Sequence, residues 1–430
     1  MARIKRIVCY AVNGSGLGHV TRLLSTARWL RRIVGLLERK PPEILFLTSS
    51  EATQVLLQAG FASFKLPSKT IVRQAGMDML EYRRLARQFV WQVLGTFSPD
   101  MLVVDTFPSG SFDELLQLLD GPFHKGFVCR KVKPEFGGRA IFQAALGLYD
   151  AVAVPHAAPP GQNPLEVLGR PAVWCGEVVS TQRDELGDPA ESRRRLGVEP
   201  GQKLVYVSAG GGGDPGSRDA LSRLVEVLGA DPNLHLLVGA GPLYQGPRMG
   251  GPRLTWYTEP AVAPYLAACD VAVSAGGYNT FHELLHLGVP SVFYAQEKVA
   301  DDQAERIQEA AAAGACVALA SLGGVDAADI EGAVAEALRR GPELSAAAAA
   351  RVPPGGALRC ASALLTGAYS AERLSWAESV LQPELVRALE NYGNPGHQAV
   401  AQWLPALFPA AHVESLAAHP SFTALRAQLS

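Results

Sequence analysis

Several absences narrow the reading of this chain at once. Six cysteines in 430 residues (Cys9, Cys129, Cys175, Cys269, Cys316 and Cys360) form no C-x-x-C pair. Most sit in or beside apolar runs, so they read as buried thiols of a reducing compartment and not as a disulfide framework. Long apolar runs are missing too: none reaches the ~18–20 residues that a membrane-spanning helix needs. The apolar stretch Ile4–Val12 follows a few basic residues, as a signal peptide would. It is short, Asn13-Gly14-Ser15-Gly16-Leu17-Gly18-His19 interrupts it, and no small-residue cleavage site follows, so a cytoplasmic location is expected. The net charge is only −2, and no nucleic-acid partner is expected.

What is present suits a globular protein of two domains with an appendage. Hydrophobic residues make up 48% and charged residues 19%, and each half is long enough to bury its own core. The small net charge hides an asymmetry. Residues 1–150 hold 20 Lys and Arg against 12 Asp and Glu, a net of +8; the remainder holds 19 against 29, a net of −10. A basic first half fits an anionic or lipid-linked partner, with peripheral contact at the inner face of a membrane. The bland alternative is that Arg28-Trp29-Leu30-Arg31-Arg32 and Arg83-Arg84 are solvated helix faces.

The most informative segment runs from Val271 to Gln303. Val271–Val273 reads as a buried strand. Ser274-Ala275-Gly276-Gly277 follows, small residues that let a ligand approach the backbone. A helix through Tyr278, Asn279, Thr280 and Glu283 comes next, and its free N–H groups and partial positive charge suit a pyrophosphate. A second apolar run, Val289–Tyr294, leads to Asp302-Gln303. Strand, glycine turn, helix and strand is how an open α/β sheet presents a nucleotide at the carboxyl ends of its strands.

Two further loops follow strands. Residues 13–19 place Gly14, Gly16 and Gly18 in a glycine loop, but His19 stands where G-x-G-x-x-G needs its last glycine. His19 opens an amphipathic helix, where its plainer role is that of a cap. In the second half, strand Lys203–Ser208 runs into Gly210, Gly211, Gly212 and Gly213 before a helix at Arg218–Leu228, and such a loop can set backbone N–H groups against phosphate oxygens.

The Ser274–Thr280 string resembles the donor segment of GT-B glycosyltransferases. It is most similar to the family-28-like UDP-N-acetylglucosamine transferases of the lipid stage of peptidoglycan synthesis and to "predicted glycosyltransferase" relatives of that family. The Gly18-His19 loop resembles the first loop of the same enzymes, and also that of UDP-sugar hydrolases of pseudaminic acid synthesis. The resemblance covers residues 1 to about 368. It implies that Glu283 holds the ribose hydroxyls of UDP, that Gln303 contacts the sugar beside Asp302, and that His19 faces the interdomain cleft. It also implies that Pro260–Val262 lines the base pocket. The glycine run at 210–212 matches the phosphate loop in position, although that loop is usually poorer in glycine and richer in serine.

The expected architecture is α/β and GT-B: two Rossmann-like parallel-sheet domains facing a cleft, with a helical appendage. The expected boundaries are 1–179 for the acceptor domain, 180–202 for the connection, 203–368 for the donor domain and 369–430 for the tail. Expected elements include a short helix at Phe112–Leu119 and helices at Ile330–Arg339 and Gly356–Leu365. The expected reaction moves GlcNAc or a similar hexose from a UDP-sugar to a hydroxyl acceptor by inverting, metal-independent displacement. His19 is the expected base. No D-x-D pair is present to hold a cation, and no cofactor is expected beyond the nucleotide-sugar co-substrate. Three alternatives stay open: a UDP-sugar hydrolase using the same Gly-His loop, a nucleotide-sugar-binding protein without turnover, and a zinc hydrolase. The last arises because His282-Glu283-Leu284-Leu285-His286 satisfies H-E-x-x-H, with Glu305 as a third ligand; its setting inside a strand–glycine–helix unit argues against it.

Overall fold

The computed structural model describes residues 3–381 apart from 13–15, 133, 160–165, 184–185, 214–215, 259–261 and 297–301. The first part of the chain alternates strands and helices. It comprises β1 (Arg6–Ala11), α1 (Gly18–Glu38), β2 (Glu43–Thr48), α2 (Gln54–Gln58), β3 (Ala62–Lys65), α3 (Lys69–Gln74), α4 (Met79–Phe97) and β4 (Met101–Asp105). Then come β5 (His124–Val128), α5 (Pro134–Gly137), α6 (Ala140–Leu146), β6 (Ala151–Val154), the hairpin β7 (Glu166–Val167) and β8 (Arg170–Pro171), and β9 (Val173–Trp174). The second part begins with α7 (Pro189–Leu196), β10 (Lys203–Ser208), α8 (Gly216–Gly229), β11 (Leu234–Gly239), β12 (Leu254–Tyr257), α9 (Ala263–Leu266) and β13 (Val271–Ala275). It continues with α10 (Tyr278–Leu287), β14 (Ser291–Tyr294), α11 (Gln303–Ala312), β15 (Val317–Leu319), α12 (Ala327–Arg339), α13 (Gly341–Arg351), α14 (Gly356–Leu364) and α15 (Ala371–Val380).

Each half forms one parallel sheet. The first has the order β3-β2-β1-β4-β5-β6-β9, the second β12-β11-β10-β13-β14-β15. In both, the order reverses beside the first strand of its half, which is the point where open α/β sheets bind ligands. The strands carry continuous apolar runs because helices cover both faces. Ile7, Cys9 and Ala11 of β1 face one core with α1, while Val8 and Tyr10 face another with α4 and α6. In the second sheet Val205 and Val207 meet α8 and α12, while Leu204 and Tyr206 meet α10.

Two segments depart from the sequence-based expectation. Phe112–Leu119 was expected as a helix but forms turns. Asp113 adopts φ +62°, and the buried Glu114 carboxylate accepts from Ser111 N at 3.0 Å and Phe112 N at 2.6 Å, and from the Tyr10 hydroxyl. A side chain thus takes the local N–H groups that a helix would leave for water or a cap. The 180–202 connection holds helix α7. Pro189 starts it: proline has no N–H to lose at the first helical position, and Asp188 caps the turn by accepting from Ala190 N at 3.0 Å.

The end of the described chain returns to the first domain. Buried residues of α14 and α15, among them Leu358, Cys360, Leu364, Leu374 and Val380, join the core formed by α1 and the first sheet. The Leu364 carbonyl accepts from His124 Nε2 at 2.8 Å, Arg359 Nε donates to Cys175 O at 2.8 Å, and Arg373 donates to Leu37 O at 2.8 Å. The expected donor domain of 203–368 therefore includes a helix whose buried face lies on the first sheet. The rest of the expected tail, from 382 onward, lies outside the described residues, as do Asn13, Gly14, Ser15 and Pro260.

Docking of α14 depends on a glycine. A Cβ on Gly356 would stand 2.0 Å from the Glu177 carbonyl oxygen and 2.7 Å from its carbon. The obstacle is backbone and cannot rotate away. Gly356→Ala is expected to destabilise the protein by roughly 1–3 kcal/mol, read as a lowered midpoint in urea denaturation. An unchanged midpoint would mean that α14 is not held against this segment.

Candidate active site

The first-domain half of the site grows from two adjacent strands. β1 leads through the glycine loop into α1, whose second residue is His19; β4, its neighbour in the sheet, ends in Asp105. Asp105 is fully buried. Arg22 stands one turn after His19 on the same helix face, and its Nη2 donates to Asp105 Oδ1 at 2.8 Å, to Oδ2 at 2.7 Å and to Thr106 Oγ1 at 3.0 Å. His19 Nδ1 lies 3.3 Å from Asp105 Oδ2. Burial pushes the Asp105 carboxyl up, but Arg22 and His19 more than reverse this and hold it at about 2. Arg22 Nη2 also lies 3.4 Å from His19 Nδ1; the ionised carboxylate, nearer at 3.3 Å and only an acceptor, favours the proton on Nδ1, which leaves Nε2 basic. Burial holds the His19 ring below its ordinary value despite the opposing pull of Asp105. Near neutrality, then, the imidazole is neutral beside an ionised carboxylate.

The second-domain half is the start of α10. Gly277 is its N-cap residue, and a Cβ there would meet nothing within 4 Å. Gly276 is tightly enclosed, because a Cβ would stand 2.7 Å from Ile307 Cδ1; its carbonyl accepts from Arg306 Nη1 at 2.6 Å. Ser274 is buried at the end of β13. Asn279 reaches across to the first domain, with Nδ2 donating to Gly18 O at 3.3 Å, and Thr280 follows it, half-buried. Two helix N-termini thus face one another, those of α1 and α10, each with a partial positive charge. Glu283, about one and a half turns into α10, is half-buried; burial raises its carboxyl to about 7 against the effect of a hydrogen bond with Thr181.

Other expected site residues are placed as follows. Gly16 and Gly18 are both half-buried, and a Cβ on Gly18 would meet nothing within 4 Å. Gly210–Gly212 follow β10, and a Cβ on Gly211 would lie 3.2 Å from Leu17 Cγ, so this loop touches the first domain just before His19. Gly212, at φ +80°, packs against the Ala240 carbonyl, where a Cβ would be 2.3 Å from oxygen. Asp302 caps α11 by accepting from Glu305 N at 3.0 Å. Gln303 is buried, and its Oε1 accepts from Gln296 N at 2.9 Å. The structure brings His19, Gly18, Gly211, Gly277 and Asn279 together, whereas the described polar contacts of Asp302 and of Gln303 Oε1 are to their own loop.

The H-E-x-x-H residues have separate neighbours. His282 is buried among Tyr278, Phe281 and His156, and burial, with Arg306 and His156, holds its ring well below the ordinary value. His286 Nδ1 lies 2.9 Å from Val352 O, and Glu305 accepts from Lys131 Nζ at 2.9 Å. Among the described residues no three His, Cys, Asp or Glu side chains gather as a metal site.

Asp105, Arg22 and Tyr278 were not identified as site residues from the sequence. One signal was available: an aspartate closes the apolar run Met101–Val104, and an arginine interrupts the apolar face formed by Val20, Leu23 and Leu24. Removing one member of a buried ion pair strands the other. Asp105→Ala is therefore expected to cost roughly 3–5 kcal/mol, and His19→Ala, on the exposed side of the same carboxylate, about 1 kcal/mol or less. Urea denaturation of both variants measures this; equal losses would mean that Arg22 does not depend on Asp105.

Residues 232–347 match the model of the glycosyltransferase family 28 C-terminal domain. Over 326 residues, 71% of this chain and 82% of the relative, the sequence is 24% identical to the UDP-N-acetylglucosamine--N-acetylmuramyl-(pentapeptide) pyrophosphoryl-undecaprenol N-acetylglucosamine transferase of Salinibacter ruber. Among solved structures, the glycotransferase of kitacinnamycin superposes with a TM-score of 0.57 at 17% identity, covering 84% of this chain and 98% of that one. Acinetobacter baumannii MurG superposes at 0.51 with 15% identity, covering 82% and 97%. These superpositions carry the fold, and the matched segment spans β13, α10 and Glu283. The chain is a glycosyltransferase of the GT-B type whose second domain carries the family 28 C-terminal module.

Proposed function

We propose that this enzyme moves a sugar, GlcNAc or a similar hexose, from a UDP-sugar to a hydroxyl acceptor, with inversion and without a metal ion. The observation that carries the reading is the His19–Asp105 pair, set opposite the start of α10. His19 Nε2 takes the acceptor proton as the oxygen attacks the anomeric carbon, and Asp105 stabilises the imidazolium that forms. The bond to the nucleoside diphosphate breaks on the opposite face of the sugar. The departing charge falls to the N–H groups at the start of α10 and the glycine loop at 210–212. Glu283 accepts the ribose hydroxyls. The UDP-N-acetylglucosamine donor in the name of the Salinibacter relative supports the choice of nucleotide and sugar, and its pyrophosphoryl-undecaprenol acceptor supports a lipid-linked acceptor.

The test uses UDP-N-acetylglucosamine and UDP. His19→Ala is expected to lower turnover by ~10²–10⁴ while leaving UDP binding intact, since the donor site lies in the other domain. Glu283 adds a pH dependence. Its carboxylate form binds the ribose, and its pKa in the free protein is about 7. Binding therefore weakens as pH falls below that value, toward about tenfold per unit, with proton uptake by the free protein and release on binding. Titration calorimetry in buffers of different ionisation enthalpy reads both. Full activity in His19→Ala removes the base, and pH-independent affinity removes Glu283 from the ribose. Free sugar released as fast without an acceptor as with one means hydrolysis.

We also propose peripheral membrane contact through α3 and α4. Among the described residues no helix is long and apolar enough to cross a membrane. Leu80, 56% exposed, and Trp91, 46% exposed, share a face of α4 with Arg84 and Arg87. Ile71, Met77 and Leu85 are exposed nearby, with Lys69, Arg73 and Arg83. Apolar side chains flanked on one helix face by Arg84 and Arg87 suit an anionic lipid surface. The protein is expected to sediment with phosphatidylglycerol vesicles and to lose at least about tenfold in partitioning when Leu80 and Trp91 become Glu. Equal recovery with neutral and anionic vesicles would remove this contact.

A further inference from the structure

We propose that Tyr278 is the positioning residue through which helix α10 of the second domain fixes the His19–Asp105 pair of the first. This rests on His19 being the base. Tyr278 is the first residue of α10, directly after the N-cap Gly277. On a lone Rossmann unit such a position faces the ligand crevice or water. Here the side chain is buried between the domains.

Its hydroxyl makes two bonds, both into the first domain. It donates to the Pro155 carbonyl, just after β6, and accepts from Val178 N, beyond β9, at 3.0 Å. A phenylalanine would fill the same space and leave both buried backbone groups unpaired, so the oxygen has a specific task. The ring has another. The Arg22 guanidinium carbon lies 5.0 Å from its centroid, within cation–π range. His156 packs edge-on at 5.2 Å and 89°, and His282 at 4.3 Å and 70°.

Arg22 is thus held on two sides, by the Tyr278 ring and by the Asp105 carboxylate. An unbroken line of contacts runs from the donor helix through Tyr278, Arg22 and Asp105 to His19. The Asn279–Gly18 bond at 3.3 Å is a second strap beside it, ending on the residue before His19. A cross-domain ion pair near the site, Lys131 with Glu305, is exposed at both ends and holds the domains only weakly. When α10 withdraws, Arg22 loses its aromatic cover, takes up water on that face and no longer presents one fixed geometry to Asp105. Among the described residues Asp105, Arg22 and Arg130 are the charged groups that act on the His19 ring, and Arg22 is in contact with Tyr278.

The experiment compares Tyr278→Phe and Tyr278→Leu with the wild type. Three readouts are taken: UDP affinity by calorimetry, acceptor-free UDP release from UDP-N-acetylglucosamine, and the titration of His19 by NMR on the ligand-free protein. UDP affinity is expected to stay within about twofold, because the hydroxyl's two partners and Arg22 all lie in the first domain and the ring's contact with His282 is away from the N–H groups that start α10. Turnover is expected to fall about tenfold in Tyr278→Phe, which loses the two hydrogen bonds, and about a hundredfold in Tyr278→Leu, which also loses the face under Arg22. The His19 titration is expected to move up toward the ordinary histidine value in Tyr278→Leu, as water reaches the ring. A purely structural tyrosine would leave that titration in place. Should Tyr278→Leu fail to fold, Tyr278→Phe, which removes one oxygen, carries the test. Folded variants with wild-type turnover and an unmoved His19 titration overturn the proposal. A shifted titration in a protein whose His19→Ala variant keeps full turnover supports the coupling and refutes His19 as the base, so the two failures are distinguishable.

Discussion

The centre of this molecule is organised by one buried ion pair, Arg22 with Asp105. Taking both charges out of water is costly, and such a pair persists only when its remaining hydrogen-bonding capacity is used. Here the carboxylate meets that condition, whereas Arg22 Nε is buried without a hydrogen-bond partner among the described residues. Asp105 accepts from Arg22 on both oxygens and from the Thr106 hydroxyl at 2.9 Å, and His19 lies at 3.3 Å. A buried pair of this kind adds little net stability, but it fixes geometry, because any displacement strands a charge. The orientation of His19 and the direction of Arg22 follow from it, and Tyr278 covers the Arg22 guanidinium on its other side.

The two sheets face each other with their carboxyl edges, and that places the N-termini of α1 and α10 on opposite sides of one space. Two positive helix ends that face each other repel. Local bonds offset this: Asn279 donates to Gly18 O, and Gly211 packs on Leu17. An anion between the ends would turn the repulsion into attraction on both sides. A diphosphate held by one domain would therefore draw the other toward it.

The sequence makes the strand–glycine–helix units legible because parallel strands covered on both faces are apolar throughout, and glycines mark where the backbone must come close. This locates His19 at the start of α1 and Glu283 on α10. The residues that complete the site are harder to read. Asp105 meets Arg22 across 83 positions, and Tyr278 meets Pro155 across 123. No local pattern encodes such meetings; only the strand order does. The turn at Phe112–Leu119 hides for a related reason: its amphipathic pattern is genuine, but a buried carboxylate takes the N–H groups that would begin a helix. α14 is legible as a helix and not as a partner of the first sheet, because its apolar face would suit either core.

The excess of positive charge in the first 150 residues finds a physical use near the site. Arg22 and Arg130 from that domain both oppose protonation of His19, and burial acts in the same direction. Asp105 alone would do the opposite and raise the proton affinity of the ring. A base held only by a carboxylate would be protonated over much of the neutral range and idle there. A base held only among cations would be unprotonated but poorly oriented and too weak. With the carboxylate on Nδ1 and the guanidinium groups nearby, the ring keeps its orientation while its affinity for a proton stays below the ordinary value.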